Sequence, residues 1–373
     1  LERKALATQT VFHKARALRP GDSVAVIAPA GPFDRESFDA GLAVISERYR
    51  VHHDPGIFER DRYLAGDDTR RLAELSDALA SPEVKAIFCA RGGYGTMRIL
   101  QELERAMTDP ARREVPLAAD IADAGGAPPG RGANTGHGNR RRPGAADTGD
   151  TGRLRPTAAG NMGAARSTEG PAASKPIIGF SDITALHQWR QRHGLMSIHG
   201  PVLTQLGRLG RPTSERLFAL LESDAPAAPL RGTTTFVAGT AEGPLLGGNL
   251  SMFTRLLGTP FMPNLEGAIL VFEDVGERPY RLDRMWTHLD LAGVFSQVKG
   301  IALGSFTHCE ERDANYSSQE VLRDLAVATG LPCATGFPIG HGDVNEPVPL
   351  GVRVRLDATT AQLTFLESAA SKE

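Results

Sequence analysis

Residues 22–30, DSVAVIAPA, form an apolar, β-branched run, and the segment 34–48 behind it carries apolar residues at helical spacing with Asp34 placed to cap it. The alternation then repeats. A helical pattern over 68–81 leads into the apolar run VKAIFCA (84–90), the glycine cluster RGGYG (91–95) and the helical pattern TMRILQELERAM. Strand, glycine turn and helix in succession predict a parallel sheet covered by helices, whose ligand sites gather at the carboxyl ends of the strands. The amino-terminal half is therefore expected to be α/β, Rossmann-like in layout.

From about 112 to 175 the pattern stops. Residues 121–170 hold about a dozen of the 41 glycines, no aromatic residue and hardly an aliphatic side chain larger than alanine, with Arg140, Arg141 and Arg142 among them. Such a composition buries too little apolar area to offset an ordering cost of roughly 1–2 kcal/mol per residue, so 112–175 is read as a disordered insertion. Periodicity resumes at KPIIGFSDITALHQWRQRHG (175–194), an apolar run, a tight turn and a helix. A Pro/Gly/Thr-rich stretch, 225–240, reads as a linker. Beyond it come GPLLGGNLSMFTRLLG, the run GAILVFEDV (267–275), a helix through 283–291, VKGIALGSF (298–306), the turn-rich GFPIGHGDVNEPVPLG and two closing β-like runs. The expected division is 1–224, linker 225–240, and a β-rich α/β domain over 241–373.

Length and composition narrow the function classes. The 373 residues are 41% hydrophobic and 23% charged, an ordinary globular composition with room for two cores. Lys and Arg number 42 against 44 Asp and Glu, a formal charge of −2. No whole-protein field draws it to nucleic acid or to anionic lipid, and no apolar run approaches the roughly 18 residues of a membrane span. The first residues, LERKALATQTVFHK, lack the apolar core of a secretory signal. Cys89, Cys309 and Cys333 are odd in number and widely spaced, which suits reduced thiols and a cytoplasmic setting.

Candidate chemistry centres on Ser181 in GFSDIT, set between a strand-like run and a helix start. A serine on such a turn lifts its hydroxyl out of the sheet edge, and the N–H of Asp182 points where an oxyanion would form. The competing reading is that Ser181 or Asp182 only caps the helix. A serine nucleophile needs a base, and the base a carboxylate. His341, in the glycine-flanked loop IGHGD, can project into a cleft, whereas His187 sits on the helix after the elbow as a packing residue and His199 flanks it. Glu273 ends the run ILVFED at a strand tip, Asp274 points to the opposite face, and Glu277 is a rival in the following turn. The RGGYG turn fails as a dinucleotide fingerprint, but Gly92 or Gly93 can supply the second oxyanion N–H, or the turn can be plain. GGNL (247–250) can likewise hold a substrate carboxylate or be only a turn. His308, Cys309 and Glu310 form one isolated triplet, and no paired-cysteine or H-E-x-x-H pattern occurs, so neither metal nor cofactor is expected.

Taken together and in order, PGDSVAVIAPAGP, ARGGYGTMRIL, PIIGFSDITALH, GPLLGGNLSMFTRLLGTP, FEDVGERPYRLDRM and GFPIGHGDVNEPVPLG resemble the serine LD-carboxypeptidase family, which includes muramoyltetrapeptide carboxypeptidases and microcin C7 immunity proteins. The resemblance covers nearly all of 18–369 apart from the insertion. It implies a Ser181–Glu273–His341 peptidase with oxyanion donors at Asp182 and at Gly92 or Gly93, a site between two domains, a homodimer, and a murein peptide substrate losing its terminal D-alanine. Two alternatives accompany it: an amidase acting on peptidyl or aminoacyl nucleotides, for which Trp189 and Trp286 are the only tryptophans to stack on a base, and a silent binder of murein fragments. Gly179 follows Gly95 by 84 positions, more than the usual family spacing, and the excess is the insertion.

Overall fold

A computed structural model describes residues 10–108 and 175–372. The region read as an insertion lies outside the described residues except for its last position. Lys175 is buried and donates from Nζ to the carbonyls of Ala78, Leu79 and Ser81 at the end of the helix Asp68–Ala80, so this residue is an anchor of the fold.

Two sheets carry the architecture. The first orders its strands as Val348–Leu350, Ser197–His199, Ile177–Gly179, Val84–Cys89, Ser23–Ile27 and Arg50–His52, all parallel save Val348–Leu350. Its inner strands are buried on both faces, which is why they read as continuous apolar runs. Helices cover it, among them Arg35–Ser46, capped by Asp34 through Ser37 N, and Asp68–Ala80, capped by Asp67 through Arg70 N.

The second sheet has four parallel strands at its centre, Thr240–Asn249, Ile269–Val275, Gly300–Thr307 and Cys333–Thr335, with antiparallel strands on both flanks. Its residues alternate between two cores. Leu270 and Phe272 pack with Trp286 and Leu289 of the helix Pro279–Leu291, while Ile269 and Val271 pack with Phe337, Ile339 and Val348. That alternation settles which way the next two positions face: Glu273 follows Ile269 and Val271, and Asp274 takes the opposite side.

The expected linker is corrected. Residues 225–240 contain the strands Leu230–Arg231 and Thr234–Val237, which pair with Gln362–Phe365 and Cys333–Thr335 at the two ends of the second sheet. In the second of them Thr234, Thr235, Phe236 and Val237 are β-branched or aromatic and suit an edge strand in spite of the turn-like composition around it. The chain also crosses back. Val348–Leu350 joins the first sheet beside Ser197–His199, and Ala15–Arg16 pairs with Ala370–Ser371. All described residues fall in one compact unit.

Candidate active site

The strand Ile177–Gly179 runs into Phe180, a 3-10 turn at Ser181–Ile183 and the helix Thr184–Arg192. Ser181 adopts φ +64°, the left-handed region that a non-glycine residue occupies at a cost of roughly 1–3 kcal/mol. Two contacts hold it there. A Cβ placed on Gly92 would stand 2.9 Å from Ser181 Cβ and 3.1 Å from its Oγ, so only glycine lets the turn at 91–95 lie this close to the serine. Asp182, fully buried, accepts a hydrogen bond from Thr96 N at 2.8 Å, the first residue of the helix Thr96–Thr108. Burial pushes the Asp182 carboxyl pKa up, against the downward pull of the Thr96 bond. The acid thus caps a helix, as the capping reading held, but the helix is the one after the glycine turn and not its own. The cap therefore ties elbow and turn together.

The N–H of Asp182 lies in the first turn of its helical segment, where no intrahelical acceptor exists. Gly93 has φ +109°, and Gly92 receives at its carbonyl the Gly31 N–H at 3.0 Å.

His341 lies in the loop before Val348–Leu350. Its Nδ1 is 2.6 Å from Glu273 Oε2, and its ring centroid is 4.6 Å from that of Phe180, the residue before Ser181. The glutamate is 0% exposed. Gly340, at φ +106°, is required for the approach, because a Cβ there would meet Glu273 Cβ and Cγ at 2.6 Å. Burial pulls the His341 pKa down, but the Glu273 hydrogen bond and the charges of Glu273 and Asp274 outweigh it, leaving the imidazole above the ordinary histidine value.

Asp274 faces the other way, accepting from Ser251 N at 2.9 Å and Asn249 Nδ2 at 3.0 Å, with burial and the neighbouring Glu273 charge pushing it up to about 6. Glu277 is engaged by Ser251 Oγ and Arg281, apart from the imidazole. His187 is buried and bonds the Gly179 carbonyl at 2.8 Å, with its pKa driven down to about 4 by burial. His199 is also buried, with neither ring nitrogen hydrogen-bonded and Nε2 3.9 Å from Glu273 Oε1. The triplet at His308 is dispersed in role: Cys309 is buried and Glu310 holds Ser318 N and Oγ.

Asn249 is the residue that sequence reasoning passed over. Its N–H donates to Thr184 Oγ1, its side-chain oxygen caps the helix Leu250–Arg255 through Met252 N, and its amide donates 3.3 Å to Glu273 Oε1 and to Asp274. GGNL is thus a turn whose Asn249 orients the glutamate, with the Asn249 N–H already committed. The N-cap signature of an asparagine ahead of LSMF was the available signal.

Residues 24–113 match the LD-carboxypeptidase N-terminal domain and 242–356 the LD-carboxypeptidase C-terminal domain. Gly92 and Gly93 fall in the first stretch and Glu273 and His341 in the second, while Ser181 and Asp182 fall between them. A putative carboxypeptidase of Synechocystis is 33% identical over 94% of this chain and 96% of its own length. The probable murein peptide carboxypeptidase of Bacillus subtilis is 31% identical over 97% and 96%, and the murein tetrapeptide carboxypeptidase of Pseudomonas aeruginosa 32% over 88% and 91%. In fold, the chain is similar to muramoyltetrapeptide carboxypeptidase from Oxalobacter formigenes, with a TM-score of 0.67 and 24% identity over 92% of this chain and 97% of that one. It is also similar to MccF in complex with glutamyl sulfamoyl guanosine, with a TM-score of 0.71 and 19% identity over 96% and 99%. Matching both domains of one family and aligning over nearly its full length with these relatives, the chain belongs to the LD-carboxypeptidase family.

Proposed function

We propose that the protein is a serine LD-carboxypeptidase that releases the terminal D-alanine of murein tetrapeptides through an acyl-enzyme on Ser181. The observation that carries this reading is the His341–Glu273 contact of 2.6 Å packed against Phe180, with Ser181 next in the chain in a left-handed conformation. Glu273, held by Asn249, fixes the imidazole with Nδ1–H toward the carboxylate, which leaves Nε2 as the basic nitrogen.

His341 Nε2 takes the hydroxyl proton as Ser181 Oγ attacks the scissile carbonyl. The oxyanion is met by the N–H of Asp182 and that of Gly92 or Gly93. Collapse breaks the C–N bond, and the imidazolium returns its proton to the departing amine. Water, deprotonated by the same imidazole, then frees the serine. Ser181 is the nucleophile, His341 the base and acid, and Glu273 the group that balances the imidazolium.

On this reading the protein acts in the cytoplasm on recycled wall fragments, as the homodimer that the family implies; three buried free thiols suit a reducing compartment. The nucleotide amidase reading gains nothing from the tryptophans, since Trp189 and Trp286 are each 2% exposed and offer a base no open face. Disaccharide tetrapeptide incubated with the protein should lose the mass of one alanine, with EDTA without effect. Ser181→Ala should lower kcat by at least roughly 10³-fold. Chelator-sensitive release, or undiminished release by Ser181→Ala, overturns the proposal.

A further inference from the structure

The glycine turn at 91–95 has two sides. Gly92 faces the serine. Gly93 instead lines, with Gly31, Pro32, Tyr63, Arg91 and Tyr94, an open cleft of about 570 Å³. Tyr63 and Tyr94 are exposed large rings with centroids 5.9 Å apart. Arg91 is exposed, and its guanidinium donates to the Pro32 carbonyl.

Three nearby arginines are committed elsewhere. Arg71 is fully buried on the Pro29 carbonyl and Asp68, Arg98 is paired with Asp68, and Arg70 with Glu74. Arg91 makes no ion pair among the described residues, and Asp34, just past Pro32, places Oδ1 on Ser37 N as a helix cap. The Asp34 carboxylate feels the Arg91 charge without closing an ion pair with it, so the guanidinium keeps positive charge to offer an anionic ligand in the cleft. The cleft is lined by Gly93, one of the two candidate glycine oxyanion donors, and by Arg91, which precedes the other, Gly92, in the chain. In a peptide cut at its last bond, the terminal carboxylate lies one residue beyond the scissile carbonyl, so a cation in a cleft that borders the oxyanion donors is the group suited to meet it.

We propose that Arg91, in the cleft it lines with Tyr63 and Tyr94, binds the terminal carboxylate of the residue to be released. The assignment rests on the carboxypeptidase reading and deepens it. A planar guanidinium grips a carboxylate with two parallel hydrogen bonds, and a chain that continues past the cut offers no charge there. Arg91 thereby selects chain ends over internal peptide bonds.

The test compares binding with turnover. Ser181→Ala protein is titrated calorimetrically with the tetrapeptide and with its terminal carboxamide. The acid should bind about 10- to 100-fold more tightly than the amide, the worth of a charge-assisted contact. Adding Arg91→Ala should erase that ratio, and Arg91→Lys should keep part of it. A ratio unchanged by Arg91→Ala, or no preference for the acid in the parent, overturns the assignment. If the preference depends on Arg91 while wild-type protein releases no alanine, the cleft assignment stands and the carboxypeptidase reading falls. Release with an Arg91-independent preference gives the reverse.

Discussion

At the scale of single residues, the candidate site is governed by one buried carboxylate. Glu273 accepts from His341 on one oxygen and from Asn249 on the other. In the proposed mechanism His341 must be neutral to take the serine proton, so activity should fall as pH drops through its pKa, which Glu273 and Asp274 raise above the ordinary value in spite of burial. Glu273→Gln removes one of those charges and leaves the burial. The acid limb of kcat/KM should therefore move to lower pH, and kcat should fall by roughly 10³- to 10⁴-fold as the tautomer is no longer fixed. A limb that stays in place would mean that another group titrates. Ser181, Glu273 and His341 were legible as types at strand tips and in a glycine-flanked loop. The role of Asn249 was not, because an N-cap asparagine reads as local structure until the strand beside it is known.

Among elements, the coupling of elbow to glycine turn is the central feature. Asp182 caps the helix Thr96–Thr108 across a sequence gap of 86 residues. Asp182→Ala keeps the backbone N–H yet removes the acceptor, and should lower stability by about 1–2 kcal/mol in urea unfolding, with a loss of kcat as the turn at 91–95 loosens. Asp182→Asn retains an acceptor and should recover most of both. Helices and parallel strands of the first sheet were readable from periodicity and caps. The edge strands Leu230–Arg231 and Thr234–Val237 were not, since Pro, Gly and Thr around them carry the composition of a linker and only long-range partners make them strands.

For the whole molecule, the question is how a loop near residue 341 reaches an elbow at residue 181. Val348 pairs with His199, and His199 with Gly179, so three adjacent strands carry the histidine loop to the serine turn. A site between two domains was only what the family resemblance implied, and this returning strand was not legible at all, because VPL is too short to reveal its partner. Val348 is fully buried in the core shared with Ile339 and Val271. Val348→Ala should cost on the order of 2 kcal/mol of stability. Val348→Asp should uncouple the loop, abolishing activity while a shortened first sheet persists in amide exchange. Equal protection of Gly179 and His199 amides in wild type and Val348→Asp, with activity retained, would contradict this route.

The most direct measurement is mass spectrometry of the protein quenched during turnover of a murein tetrapeptide, followed by proteolysis to locate any adduct. An acyl-enzyme on Ser181 predicts a covalent adduct with the mass of the tetrapeptide less one molecule of free alanine, on the fragment containing Ser181, and none with Ser181→Ala. An adduct on another residue, or release of alanine by Ser181→Ala at the wild-type rate, would contradict it.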